Sequence, residues 1–373
     1  MDEQELIYTM ALTMALRGHS KSQRVLLETL GSATAVYENR SDASHVFENV
    51  STRAAELLAA LPSFIKACEE ELTYARAHKI NILAIQDDKN YPVRLRTCDD
   101  APLILYLLGN ANLNAEHVVS IVGTRRCTER GRDICTDMGR EIASYDNKAL
   151  IVSGLAYGID IAAHRAALDN GLPTVAVLAH GLDEIYPSAH RHTAIEMLAN
   201  GGLITEFTSH TPIDRLNFLQ RNRIVAGLAD ATVIVESPSK GGSLNTARLA
   251  SDYNREVFAV PGRPTDKNSE GCNTLIRRNA ATLICSATDM MNDLGWQAAK
   301  DTKAPLQTEL FPELDPDEQK VLSTLQASDA DLSLPELLTA TALPIFKLSS
   351  LLVGLEMKGV LKSLAGQRYH LRK

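Results

Sequence analysis

An α/β fold on a doubly wound parallel sheet is the class that this 373-residue sequence predicts, and three observations predict it. Short apolar runs, most of them rich in Val and Ile, recur between residues 117 and 285. Helical patterns separate most of these runs, and glycine-rich or basic turns follow several of them. A strand that is apolar along its whole length has to be covered on both faces, as a parallel strand between two helix layers is.

Residues 1–75 come first and read as mostly helix. Leu6, Met10, Thr13 and Met14 keep a helical period, with polar turns at Gly18-His19-Ser20 and Gly31-Ser32. This fits a small module of helix-hairpin-helix or sterile-alpha-motif type, and equally a plain helical cap on the larger domain. Residues 76–117 carry strand candidates at Ile80–Ile85 and Leu103–Leu108 around the polar turn 87–92. The apolar runs follow at His117–Val122, Leu150–Ser153, Thr174–Leu178, Leu203–Thr205, Thr232–Val235, Val257–Val260 and Thr282–Cys285. After Asp289 the chain turns polar, and Pro305, Pro312 and Pro316 mark a linker over 297–317. Helix candidates at Glu318–Leu325, Leu334–Ala340 and Ile345–Lys358 precede a hairpin around Gly366-Gln367, a winged-helix pattern. The expected domains are therefore a helical 1–75, a sheet-bearing 76–296, the linker 297–317 and a winged-helix-like 318–373.

Composition excludes several classes. A hydrophobic content of 45% with 23% charged residues describes a globular protein. No apolar run approaches the ~20 residues that span a bilayer, so no membrane partner is expected. The acidic start, Met1 to Glu5, is unlike a secretory leader, and six cysteines without a CxxC pair read as reduced thiols of a cytoplasmic protein. The net charge of −8 is uneven: residues 1–117 carry −5, residues 118–285 are neutral, and residues 306–373 carry −2. A focused basic groove in the middle segment is compatible with that balance.

In an open parallel sheet, ligands bind beyond the carboxyl ends of the strands, where the basic turns fall. Gly123, Thr124 and Arg125 leave the first buried run; the glycine permits close backbone approach and the arginine offers a planar fork for phosphate. Gly154 opens a small-residue loop into a helix carrying Asp160 and His164, a cradle for anions. GxGxxG is absent, so dinucleotide cofactors are not expected, and no other cofactor is. His190 and His192 diverge at i and i+2, against a metal site. Arg215, Phe218, Arg221, Asn222 and Arg223 place cations beside an aromatic ring, suited to a ligand with phosphates and flat bases. For Arg223 an internal ion pair with Glu206 or Glu236 is a rival reading. Lys240, Gly242 and Ser243 form a last turn that feeds a helix N-terminus.

The ordered motifs Ile121-Val-Gly-Thr-Arg125, Ser153-Gly-Leu-Ala-Tyr-Gly-Ile-Asp160, Gly181-Leu-Asp-Glu-Ile-Tyr-Pro187, Arg221-Asn-Arg223, Gly242-Ser-Leu-Asn-Thr-Ala247 and Phe258-Ala-Val-Pro-Gly262 closely resemble the DNA-processing protein A (DprA/Smf) family. The match runs from about Tyr91 to Ala280. Relatives usually have proline after the phenylalanine, where this chain has Leu219. The resemblance implies an extended Rossmann-like domain that binds single-stranded DNA and dimerises. It also implies delivery of incoming strands to the RecA recombinase during natural transformation. The alternative is a nucleotide phosphoribohydrolase of the lysine-decarboxylase-like Rossmann family. Those enzymes place an acidic residue after the Gly-Gly loop, where this chain has Arg248.

Overall fold

The computed structural model describes residues 1–42, 52–87, 89–296, 315–328, 332–357, 361–364 and 368–371. It divides into two compact units, residues 1–299 and 300–373. Residues 297–314 of the expected linker lie outside the described residues.

In the first unit the strands are β1 (Asn81–Ala84), β2 (Ile104–Gly109), β3 (Val118–Val122), β4 (Leu150–Ser153), β5 (Thr174–Val177), β6 (Gly201–Thr205), β7 (Ala231–Ile234), β8 (Glu256–Ala259) and β9 (Thr282–Leu283). They form one sheet in the order β1-β2-β6-β5-β4-β3-β7-β8-β9. Strands β3 to β9 pair in parallel, and every residue of β3 to β7 is buried. The apolar runs from His117 to Val235 are thus the covered strands; β8 is buried in all but its first residue, whereas β9, from the Thr282–Cys285 run, is exposed because it is the edge of the sheet. The β1–β2 and β2–β6 pairs are antiparallel, so residues 76–117 extend the sheet at one end rather than adding to its parallel part. The chain lays β4, β5 and β6 outward on one side of β3, then returns to place β7 on the other. That reversal opens a crevice at the carboxyl ends of β3 and β7.

The helices that matter below are α1 (Glu3–Ala15), α2 (Ser20–Leu30), α3 (Ile65–Ala77), α4 (Glu129–Tyr145), α5 (Ile159–Asp169), α6 (Arg215–Gly227), α7 (Ser243–Asp252) and α8 (Glu270–Arg277). Met10 and Leu12 of α1, Leu26 of α2 and Cys68 of α3 share one core with Tyr91, Leu95 and the β2 residues Ile104 and Leu105. The Arg24 guanidinium of α2 donates to the carbonyls of Arg96 (2.7 Å) and Cys98 (2.6 Å), and Glu71 of α3 accepts from the Ser209 amide (2.9 Å). The leading helices therefore cover the sheet's β1–β2 end. All six cysteines are unpaired, and burial pushes the Cys68 thiol up to about 12 and the Cys98 thiol to about 11.

The second unit has α9 (Pro316–Ala327), α10 (Leu334–Thr341) and α11 (Ile345–Met357), with β10 (Leu332–Ser333), β11 (Leu361–Leu364) and β12 (Arg368–Leu371) in the order β10-β12-β11. Val321, Leu337, Leu348, Leu352 and Leu355 form its core. Strand β10 was not foreseen, because two residues are too few to display a period. Among the described residues, no single helix is long and apolar enough to cross a membrane.

His164 on α5 shows how tightly the sheet's helix layer is closed. Its Nδ1 lies 2.8 Å from Thr174 Oγ1, whose own hydrogen goes to the Ile151 carbonyl (2.9 Å). The Nδ1–H must therefore donate, leaving Nε2 bare; among the described residues it has no partner. Burial, seconded by the charge of Arg221, lowers the His164 pKa to about 3. A depressed folded-state pKa gives stability that is complete above the unfolded value near 6.5 and is lost as pH falls towards 3. Urea unfolding at pH 7, 6 and 5 is expected to show a falling free energy, by up to ~1.4 kcal/mol per unit below 6.5. His164→Gln is expected to flatten that fall, and an unchanged pH slope in the variant would contradict the assignment.

Candidate nucleic-acid interface

The loops after β3, β4, β6 and β7 meet over the reversal point and enclose a cleft of about 570 Å³. Its floor is Arg221. The guanidinium is buried, and Nη1 donates to the carbonyls of Gly154 (2.6 Å) and Val177 (2.5 Å). Asp160, at the start of α5, is also buried, beside the amides of Ala156 and Gly154. Burial pushes the Asp160 carboxyl up, against the pull of Arg221 and those amides. Burial pushes Arg221 down, and Asp160 opposes that. An arginine keeps its proton even so, and the two groups serve as each other's counter-charge.

This packing explains two glycines. A Cβ on Gly154 would stand 2.0 Å from Arg221 Nη1, so only glycine lets the loop close over the guanidinium. Gly158 holds φ +81°, and a Cβ there would stand 2.1 Å from the Thr124 carbonyl. The Thr124 amide in turn donates to Glu236 O (2.7 Å), which fixes the β3 turn against the end of β7.

The rim is what faces outward. Arg125 is exposed, with its guanidinium carbon 5.4 Å from the centre of the Phe218 ring. Tyr186 meets the same ring edge-on at 5.9 Å. Arg215 and Asn222 also line the cleft, as do Gly123, Thr124, Gly242 and Ser243. Among the described residues, no carboxylate lies within ion-pairing distance of Arg125 or Arg215. A cation held over a ring at an exposed site is worth only about 0.5–1 kcal/mol, so the exposed Arg125 can exchange its contact with the half-buried Phe218 for a phosphate at little cost. The helix α7 opens at Gly242 without a side-chain cap; its Leu244 and Asn245 amides turn back onto Gly241 O (3.2 Å) and Gly242 O (3.1 Å), so Gly242 and Ser243 are what its start offers the cleft.

The expected cluster is corrected at two positions. Arg223 does not join the cleft: it is buried, ion-paired with Glu206, and bonded to Asp100 O (2.6 Å) and Ser20 Oγ (3.2 Å). Two residues on a helix are about 200° apart, so Arg221 and Arg223 point to opposite sides of α6. Lys240 stands exposed on the β7–α7 loop and is not among the cleft's walls. Glu236, the other suggested partner, accepts instead from Thr128 N (2.9 Å) and Oγ1 (2.5 Å). His190 is buried against Leu155 O, while His192 is exposed beside Glu196. Sequence reading passed over Tyr186, whose signal is an aromatic in the turn after β5.

With this geometry in hand, the family follows from the sequence match. The family model for DNA recombination-mediator protein A covers residues 82–295. The chain belongs to this family. The DprA winged helix domain matches residues 303–367. A Mycobacterium tuberculosis DprA protein is 41% identical over 226 residues, and the chain spans 57% of that relative's length. Protein Smf of Synechocystis is 32% identical over 320 residues, covering 77% of this chain and 79% of that protein. The structure of DNA processing protein A from Streptococcus pneumoniae superposes with a TM-score of 0.58 at 30% identity, over 73% of this chain and 97% of that one. DNA processing protein A from Helicobacter pylori, a structure concerned with its single-stranded DNA binding mode, gives 0.52 at 32% identity, over 58% and 95%.

Removing Arg221 would strand two carbonyls and take from the buried Asp160 its larger counter-charge, leaving only the weaker pull of Arg125. Arg221→Ala is therefore expected to cost about 3–5 kcal/mol in chemical denaturation, and Gly154→Ala to destabilise in the same direction. An Arg221→Ala protein as stable as the parent would contradict a structural role for this arginine.

Proposed function

We propose that this chain is a non-catalytic single-strand DNA binder that shields incoming strands and loads them onto the RecA recombinase during natural transformation. The observation that carries the reading is the exposed Arg125 over Phe218, with Arg215 and the amides of the β3 and β7 turns around one cleft. Guanidinium and amide groups suit the phosphates of a flexible strand, and the rings of Phe218 and Tyr186 suit its bases. Bases of any identity can stack, so little sequence preference is expected. The single-strand binding of the Helicobacter relative supports the same ligand here.

RecA delivery rests on family membership alone, and a cytoplasmic site on the unpaired cysteines as well. Homodimerisation has additional support from β9, an edge strand with Leu283 47% exposed. We also keep the division into a helical 1–75, a sheet-bearing 76–296, a linker 297–317 and a winged-helix-like 318–373 as a proposal, with 1–75 sharing its core with the sheet.

One observation favours the hydrolase alternative: Asp160 is a buried carboxylate in the cleft, pushed up by burial, as catalytic acids often are. Its charged form is favoured by the nearby Arg221, and Arg248, where those enzymes place an acid, is an exposed partner of Asp252 outside the cleft. Both facts support binding over hydrolysis. Robust cleavage of nucleoside monophosphates would reverse that judgement.

Gel-shift titration across salt tests the binding reading. Phe218→Ala is expected to lose about 1–3 kcal/mol per unstacked base. Arg125→Ala is expected to flatten the logarithmic salt dependence by about 0.7 per lost phosphate contact. Folded variants that bind single strands as tightly as the parent would overturn the assignment.

A further inference from the structure

We infer that the strand's path continues beyond the Arg125–Phe218 cleft, over the β3–α4 turn, into a second groove that holds phosphates without stacking bases. The inference deepens the proposed single-strand reading and rests on it. The groove has a volume of about 910 Å³, and its walls include Arg130, Arg263, Asp266, Lys267 and Asn268.

No residue lines both cavities, but one turn runs from the first to the second. Gly123, Thr124 and Arg125 line the first, and Thr128, four residues past Thr124, lines the second. Asn268 Nδ2 donates to the Arg126 carbonyl (2.9 Å), which holds the exposed Arg126 at the crossing. Glu236 ties both sides together: its carbonyl receives the Thr124 amide, and its carboxylate receives both donors of Thr128.

The charge at the groove's surface is positive. Arg130, Arg263 and Lys267 are exposed, and only Asp266 opposes them there, because Glu236 is 2% exposed and engaged with Thr128. Among the described residues, no carboxylate lies within ion-pairing distance of Arg263 or Lys267. Arg130 spends one contact on Pro261 O (3.0 Å). No aromatic residue lines this groove, in contrast to the first. Cations without rings suit a phosphate backbone whose bases point to solvent, the complement of the stacking cleft. A strand long enough to leave the first cleft would meet Arg126 and then these three cations.

The test uses the full chain, the double variant Arg263→Ala/Lys267→Ala, its charge-reversed form Arg263→Glu/Lys267→Glu, and thymidine oligonucleotides of about 4 and about 16 nucleotides. The short strand is expected to bind both variants as it binds the parent. The long strand is expected to bind more weakly, with its salt slope reduced by about 1.4 for two lost phosphates in the alanine form, and more weakly still in the charge-reversed form. Long-strand binding equal to the parent's overturns the proposal, as does an equal loss at both lengths. Weakening of a tailed duplex without weakening of the long strand also overturns it, because the groove would then hold duplex. Failure of the underlying reading looks different: the parent would bind neither length, or Arg125→Ala would leave both unchanged.

Discussion

A single buried guanidinium sets the shape of the cleft. The strand ends of a parallel sheet leave carbonyls pointing into whatever lies above them, and each needs a donor if it is kept from water. Arg221 supplies donors to Gly154 O and Val177 O and sets its charge against the buried Asp160. The loops after β4 and β5 are thereby tied to α6. Such an arrangement is costly to break and weak as a source of net stability; what it contributes is position.

Because Arg221 Nη1 is spent on those two carbonyls, contact with a ligand is left to the rim. Four arginines within a short span of sequence or space serve three purposes. Arg221 organises the loops, Arg223 anchors the other side of α6 through Glu206, and Arg125 and Arg215 face the opening. The helical period accounts for the first two, since i and i+2 cannot share a face. Exposed cations and aromatic rings above a buried base are what suit the cleft to the polyanion proposed for it.

Much of this was legible in the residues. The uninterrupted apolar runs from Val118 to Ile234 announced buried parallel strands, and the turns after them placed Gly123, Arg125, Gly154 and Ser243 around one opening. Direction was not legible. A sequence shows that Arg221 and Arg223 are charged, but their burial depends on carbonyls and carboxylates brought in from distant strands, Val177 and Glu206 among them. Tyr186 escaped notice for the same reason, as its ring acquires meaning only beside Phe218 from another loop. The leading helices kept two readings open because amphipathic spacing says which face is buried and not what buries it; here it is the β1–β2 end of the sheet.

Family membership fixes the class of process, while the cleft specifies how this chain would take part in it. The account stands on a division between a structural floor and a binding rim. A crystal structure with a short thymidine oligonucleotide bound tests that division most directly. It should place a phosphate against Arg125 and the β3-turn amides and a base on Phe218, with Arg221 still bonded to Gly154 O and Val177 O. A strand lying elsewhere, or Arg221 released from those carbonyls to meet a phosphate, would contradict it.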